Sequence, residues 1–173
     1  MFMAEGYFTR KVLTQRLAAL EIPVDVHVLP PLGADPRLPA LMRADALAAA
    51  ERAGVAADAA RLLIVGHGSK IGPASAEATR VVAAAIERAG VFGRVETAFL
   101  EEAEFLEDAL RRAASTPTIV SGFFSGDGLH AAEDVPEAIA ETGASATYAG
   151  PIGRSDAVSE IVRGAIIQLF SAP

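Results

Sequence analysis

One pattern restricts the fold more than any other: short runs rich in β-branched and apolar residues alternate with alanine-rich stretches of helical period. Strands are expected at Val24 to Leu29, Leu62 to Gly66, Val95 to Leu100, Thr118 to Phe123 and Ala146 to Gly150. Helices are expected at Thr9 to Leu20, Arg37 to Ala53, Ala74 to Ala89, Glu104 to Ala114 and Asp134 to Thr142. A last helix places Val158, Ile161, Val162, Ala165, Ile166, Leu169 and Phe170 on one apolar stripe, with Ser155 as its N-cap. Strands separated by helices pair in parallel through right-handed crossovers, so the fold class is α/β, an open, doubly wound parallel sheet. A flavodoxin-like strand order is the first expectation for such a sheet.

Composition narrows the function classes. The 173 residues suit one ordinary domain, and 51% hydrophobic against 21% charged residues marks a globular chain. A net charge of -7 repels polyanions, so no nucleic-acid partner is expected, and an acidic small molecule would need a local basic or N–H site. The chain has no cysteine, which removes disulfides, thiolate ligands and cysteine nucleophiles together and fits a reducing cytoplasm. The start, MFMAEGYFTRK, has no basic region ahead of an apolar stretch, and no run of eighteen apolar residues occurs. The expectation is a soluble, unprocessed, cytoplasmic protein without a membrane partner.

A weak internal repeat organises the chain. The segment from Phe2 to Phe8 parallels that from Phe124 to His130, positions 2 and 124 lying 122 apart. Pro31-Leu32-Gly33 parallels Pro151-Ile152-Gly153, positions 31 and 151 lying 120 apart. A unit of about 120 residues follows. Residues 1–58 then form the second half of one copy, and residues 59–173 a complete one, joined across Ala53 to Ala60. Chance similarity between Gly-rich turns is the competing account.

Two histidines stand where a ligand site belongs. His67 follows the buried-strand pattern Leu62 to Gly66, and His130 follows the run Thr118 to Phe124 just before the helix opened by Glu133-Asp134-Val135-Pro136. Both therefore fall in βα loops at the carboxyl edge of the sheet, where open α/β sheets bind ligands. Glu101 ends a third strand at that edge. Gly66 and Gly68 leave room for a large group to approach the backbone. Two imidazoles and a carboxylate suit a borderline divalent cation such as cobalt, iron or nickel. A set with open coordination positions favours transfer or activation of the metal over structural storage. Each residue also has a plain reading: a loop histidine as a turn or cap residue, and Glu101 with Glu102 as a solvated pair at a helix entrance. His27 alternates with Val26 and Val28 and reads as an exposed or half-buried strand position.

The motifs Gly66-His67-Gly68-Ser69, Ala98-Phe99-Leu100-Glu101 and Gly128-Leu129-His130 with Asp134-Val135-Pro136, in this order and spacing, resemble those of a known family. It is the class II chelatases of siroheme and cobalamin synthesis, the sirohydrochlorin cobaltochelatase and ferrochelatase group known as CbiX/SirB. The likeness covers about the last two-thirds of the chain. It implies a chelatase fold and insertion of cobalt or ferrous iron, or nickel, into sirohydrochlorin or a related tetrapyrrole, with no nucleotide. By the same resemblance His67 and His130 are the metal-binding histidines and Glu101 is the assisting acid and further ligand. The expected tetrapyrrole contacts are Ser69, Gly128 and Leu129, with loop N–H groups meeting the substrate's carboxylates. Phe2 to Arg10 is similar to the second half of an N-terminal repeat in longer members, with Phe8 where that repeat would match His130. The copy that would precede Met1 is not in the sequence, and a homo-oligomer completing the partial repeat is the corresponding expectation. Two rival readings stay open: a non-catalytic metal- or tetrapyrrole-binding module, and a phosphohistidine enzyme. The latter usually needs an arginine clamp, and Gly66 occupies the position before His67.

Overall fold

The computed structural model describes residues 2–20 and 25–171. Its centre is β1 (Arg61–Gly66), whose side chains are buried on both faces, as the unbroken apolar run Leu62 to Val65 requires of a central parallel strand. β2 (Arg94–Phe99) and β3 (Thr118–Gly122) flank it, and β4 (Ala146–Pro151) extends the sheet beyond β3. All pairs are parallel, and the order is β2-β1-β3-β4. The flavodoxin-like order expected from the sequence is thus the observed one over these four strands.

Alternation along the strands sends residues to two apolar layers. Leu62, Ile64 and Ile119 face α2 (Leu38–Arg52) and α3 (Ala74–Glu87), where Met42, Ala46, Val82 and Ile86 close the first layer. Leu63, Val65 and Val120 face α4 (Leu106–Arg112) and α5 (Val135–Thr142), meeting Leu106, Leu110 and Val135. The chain begins with α1 (Thr14–Ala18) and ends with α6 (Asp156–Ser171). Ser155, ahead of α6, has the extended backbone of an N-cap residue. At the amino edge Arg61 is buried and donates to Thr118 Oγ1 (3.1 Å), Glu96 Oε2 (3.2 Å) and the Ala109 carbonyl (2.9 Å), tying β1 to both neighbours. No helix among the described residues is long and apolar enough to cross a membrane.

Three expected elements differ. Of the strand Val24 to Leu29, Val24 lies outside the described residues, and residues 25–29 carry no regular structure. A strand exists only against a partner, and Val26 and Val28 stand exposed with no neighbouring strand among the described residues. The helix expected from Glu104 starts at Leu106, because Glu104 takes a left-handed backbone (φ 70°) while its carbonyl accepts from Phe99 N–H (3.0 Å). The helix expected over Thr9 to Leu20 opens as a π-helical turn, Phe8–Leu13, before α1.

The two segments paired in the sequence follow similar backbone courses. A π-helical turn starts at Phe8 and another at His130, each running into an α-helix. A 3-10 turn spans Leu32–Ala34 and another Ile152–Arg154. Gly33 and Gly153 share one reason for being glycine: a Cβ would fall 1.8 Å from the Met3 carbonyl oxygen in the first case and 2.2 Å from that of Ser125 in the second.

Candidate metal centre

The carboxyl ends of β1 and β3 are neighbours in the sheet, so the loops leaving them bring His67 and His130 together across 63 residues of sequence. The rings meet edge to face with centroids 4.5 Å apart, and the two Nε2 atoms are 3.0 Å apart. Both imidazoles are reached by solvent at the rim.

The other ring nitrogens decide what those Nε2 atoms can be. His67 Nδ1 lies 2.9 Å from the Gly68 carbonyl, and His130 Nδ1 lies 2.5 Å from Asp134 Oδ2. A carbonyl and an ionised carboxylate only accept, so each Nδ1 carries the proton and donates it. A neutral imidazole has one N–H, so both Nε2 atoms then present lone pairs to each other. Two lone pairs at 3.0 Å repel unless a cation lies between them, either a proton or a metal. With metal–nitrogen bonds of about 2.0–2.1 Å, such a separation subtends roughly a right angle at the ion, the spacing of two adjacent ligands.

Asp134, read in the sequence as a helix opener and as part of the family motif, also partners His130. It sits four residues after His130, on the same face of the turn, and the i, i+4 spacing of the two is the signal that could have revealed the pair. A carboxylate on Nδ1 fixes tautomer and ring orientation and makes the opposite nitrogen a better ligand.

The acidic residues after β2 divide their work. Glu101 N–H donates to the His67 carbonyl (2.9 Å), which seats Glu101 beside the histidine, but its carboxylate pairs with Lys70 Nζ at 3.4 Å. Among the described residues no three His, Asp or Glu side chains converge as a metal-holding group, so Glu101 does not join the imidazole pair in this arrangement. Glu102 braces the histidine loop: its Oε2 accepts from Ser69 N–H at 2.8 Å, and Arg80 approaches its other oxygen at 3.9 Å. Ser69 N–H, expected to meet a substrate carboxylate, is therefore committed to Glu102.

The glycines around His67 also serve the fold. A Cβ on Gly66 would stand 2.3 Å from Thr79 Oγ1 of α3, and one on Gly68, at φ +75°, 2.9 Å from Glu102 Cγ. The room expected there for a ligand is filled by the protein. Gly128 and Leu129 are exposed at the rim; the Gly128 carbonyl accepts from the N–H groups of Ala131 (2.9 Å) and Ala132 (3.0 Å), and Leu129 stands beside His130. Nearby, Tyr148 on β4 reaches over Gly122, where a Cβ would lie 2.8 Å from the phenol oxygen. That hydroxyl is buried without a partner, and burial, seconded by the charge of Asp127, pushes its pKa up to about 12. His27, outside this rim, lies in the exposed stretch after residue 24.

An open parallel α/β sheet with two imidazoles facing each other at its carboxyl edge is an arrangement that can offer a divalent metal two adjacent nitrogen ligands at a rim open to a second reactant. The chain belongs to the CbiX family, whose model matches residues 61–169. It is 35% identical to a solved CbiX described as the terminal enzyme for biosynthesis of siroheme in denitrifying bacteria, with a TM-score of 0.86 over 96% of this chain and 72% of that one. A "Probable sirohydrochlorin cobaltochelatase" of Halobacterium salinarum is 27% identical over 161 residues, 79% of this chain and 54% of that protein. The chain thus spans about half the length of this curated relative. SirB from Bacillus subtilis, solved with Fe3+, shares the fold with a TM-score of 0.78 at 13% identity, over 97% of this chain and 68% of that one.

Proposed function

We propose that this chain inserts a divalent metal, cobalt or ferrous iron, into sirohydrochlorin or a closely related tetrapyrrole, as a cytoplasmic step of cobalamin or siroheme synthesis. The metal is a substrate, and the reading invokes no nucleotide. The observation that carries it is the pair of Nε2 atoms 3.0 Å apart, with each Nδ1 turned to an acceptor of its own. Family membership and the likeness to a siroheme-forming CbiX point the same way.

The chemistry asks little more of the protein than this pair and a base. Insertion exchanges metal–imidazole bonds for metal–pyrrole bonds while two pyrrole N–H protons leave. His67 and His130 hold the ion at adjacent positions on one face of the macrocycle and release it as the ring nitrogens take over. Asp134 keeps the His130 lone pair directed outward during the exchange. Glu101, tied through its backbone to His67, is the group we assign to accept one of the two protons, and a histidine that has released the metal takes the other on its vacated Nε2. Its service as a third ligand requires the Lys70 pair to open, which would also free an ammonium for a substrate carboxylate. Gly128 and Leu129 supply rim contacts to the macrocycle, and Ser69 does so through its loop.

We read residues 1–58 as the second half of a chelatase-like repeat and 59–173 as a complete one, on the strength of the matched π-helical turns, 3-10 turns and glycines. A homo-oligomer that completes the first repeat belongs to this reading, and light scattering of the purified chain tests it.

The deciding experiment is a spectrophotometric insertion assay with Co2+ and with Fe2+. The chain should yield metallated product, and His67→Ala and His130→Ala should each lose it while keeping a native circular dichroism spectrum. Full activity in either variant would refute the assignment. The coverage of only about half the curated relative gives the binding-module reading its footing. Tight tetrapyrrole binding with no metallated product would establish that reading instead.

A further inference from the structure

The two imidazoles differ in what stands behind them. His130 Nδ1 meets the carboxylate of Asp134 directly, at 2.5 Å. His67 Nδ1 meets a backbone carbonyl, that of Gly68, at 2.9 Å. That carbonyl belongs to the peptide joining Gly68 to Ser69, and the N–H of the same peptide donates to Glu102 Oε2 at 2.8 Å. A trans peptide is a rigid plane whose C=O and N–H point opposite ways, so a carboxylate that fixes the N–H also aims the C=O. Hydrogen bonds in series polarise one another, and an anion on the N–H makes the carbonyl oxygen a stronger acceptor for the imidazole proton. A carboxylate therefore stands behind each histidine, one in contact and one a peptide away.

Glu102 is itself held in place. The histidine loop crosses its stem closely, since a Cβ on Gly68 would lie 2.9 Å from Glu102 Cγ. From the other side comes Arg80 of α3, which lies over the buried Phe99 ring, 4.9 Å from its centroid. Its Nη2 approaches Glu102 Oε1 at 3.9 Å and Glu104 Oε2 at 3.5 Å, and Thr97 Oγ1 donates to that same Glu104 oxygen at 3.4 Å. Ring, second carboxylate and hydroxyl together fix where the guanidinium sits and so where Glu102 is drawn. Charge alone gives Arg80 no reason to be here, because a fixed cation repels a divalent ion at the neighbouring rim. A grip on Glu102 does.

We propose that Glu102 orients and polarises His67 through the Gly68–Ser69 peptide, as Asp134 does for His130 directly, and that Arg80 holds Glu102 in position for it. Both are positioning residues: they act on the metal only through the loop, by fixing the His67 ring and making its Nε2 a better ligand. The inference rests on the reading of His67 and His130 as a metal pair. It adds two residues from outside that pair, one on the loop after β2 and one on α3.

The test uses Co2+ as the probe, with affinities from calorimetry and proton NMR of the Co2+-loaded chain, where imidazole Nδ1–H protons appear as exchangeable, hyperfine-shifted signals. Two such signals are expected; Glu102→Ala should move one of them and Asp134→Asn the other. Glu102→Ala should weaken Co2+ binding about tenfold. Glu102→Gln, whose amide oxygen still accepts from Ser69 N–H, should lose less, whereas a mere loss of negative charge would make the two variants equal. Arg80→Ala should weaken binding about threefold, the scale of a solvent-exposed ion pair, although removing its charge alone would tighten it. In the Glu102→Ala background the same change should weaken binding no further. Nδ1–H signals unmoved by Glu102→Ala, equal affinities in the Ala and Gln variants, or an Arg80→Ala chain that binds Co2+ at least as well as the parent each overturn the proposal while the metal pair stands. Co2+ binding indifferent to both His67→Ala and His130→Ala would instead remove the metal pair, and this proposal with it.

Discussion

The turns at Phe8 and His130 follow one backbone course and present different side chains to different neighbours. Each begins a π-helical stretch that runs into an α-helix, 122 residues apart. At the second, a histidine meets another from the end of β1 and a carboxylate one turn on; at the first, Phe8 packs its ring 5.3 Å from that of Phe2. The backbone can therefore present a side chain at such a turn without making a site. The imidazole pair forms only where the neighbouring strand end supplies a second histidine and the helix supplies the carboxylate that orients the first.

The sharpest way to break the contrast is to make the second turn like the first. His130→Phe should abolish Co2+ binding in calorimetry with the circular dichroism spectrum unchanged. The reverse change, Phe8→His, should leave the stoichiometry as it was, because no counterpart of His67 faces it among the described residues. Two bound ions in Phe8→His would show that the turn alone suffices.

Smaller effects separate the helices that follow. Met42→Ala should cost about 2–5 kcal/mol in denaturant unfolding, since its fully buried side chain leaves a cavity beneath the sheet. Val162→Ala, at the matching position in α6, should cost no more than about 0.5 kcal/mol. Equal costs would contradict the difference in packing. Asp134→Asn should weaken metal affinity by about 10–100-fold, because an amide holds the His130 tautomer less firmly than a carboxylate does. The same substitution should leave thermal stability near that of the parent, as Asp134 is exposed.

The smallest effect concerns Tyr148. Its pKa is pushed from 10.0 up to about 12, so the folded chain favours the neutral phenol. The stabilisation is complete below pH 10.0 and is lost as pH rises towards 12. Unfolding free energies measured across that window should fall, and Tyr148→Phe should flatten the fall. An unchanged slope in the variant would place the alkaline sensitivity elsewhere.

Much of the frame was legible in the sequence because periodicity is a local property. β1 to β4 each carry an apolar or β-branched run long enough to read, and His67 and His130 each follow such a run, which places both at one edge. What escaped depends on partners. The run ending at Leu29 has strand composition, but composition supplies no neighbouring strand. Glu101 and Glu102 are adjacent in the chain, so nothing local says which one braces Ser69 and which pairs with Lys70. Gly66 and Gly68 looked like clearance for a ligand, yet Thr79 and Glu102, far along the chain or across the rim, fill that clearance. Asp134 was visible as a helix opener and a motif residue but not as the partner of His130, since that bond needs the side chain of the preceding turn to point back along the same face.

X-ray absorption spectroscopy of the Co2+-loaded chain tests the central claim, that His67 and His130 share one ion through their Nε2 atoms. The account predicts two imidazole nitrogens at about 2.0–2.1 Å, with one lost in His67→Ala and one in His130→Ala. A metal environment unaltered by either substitution would contradict it.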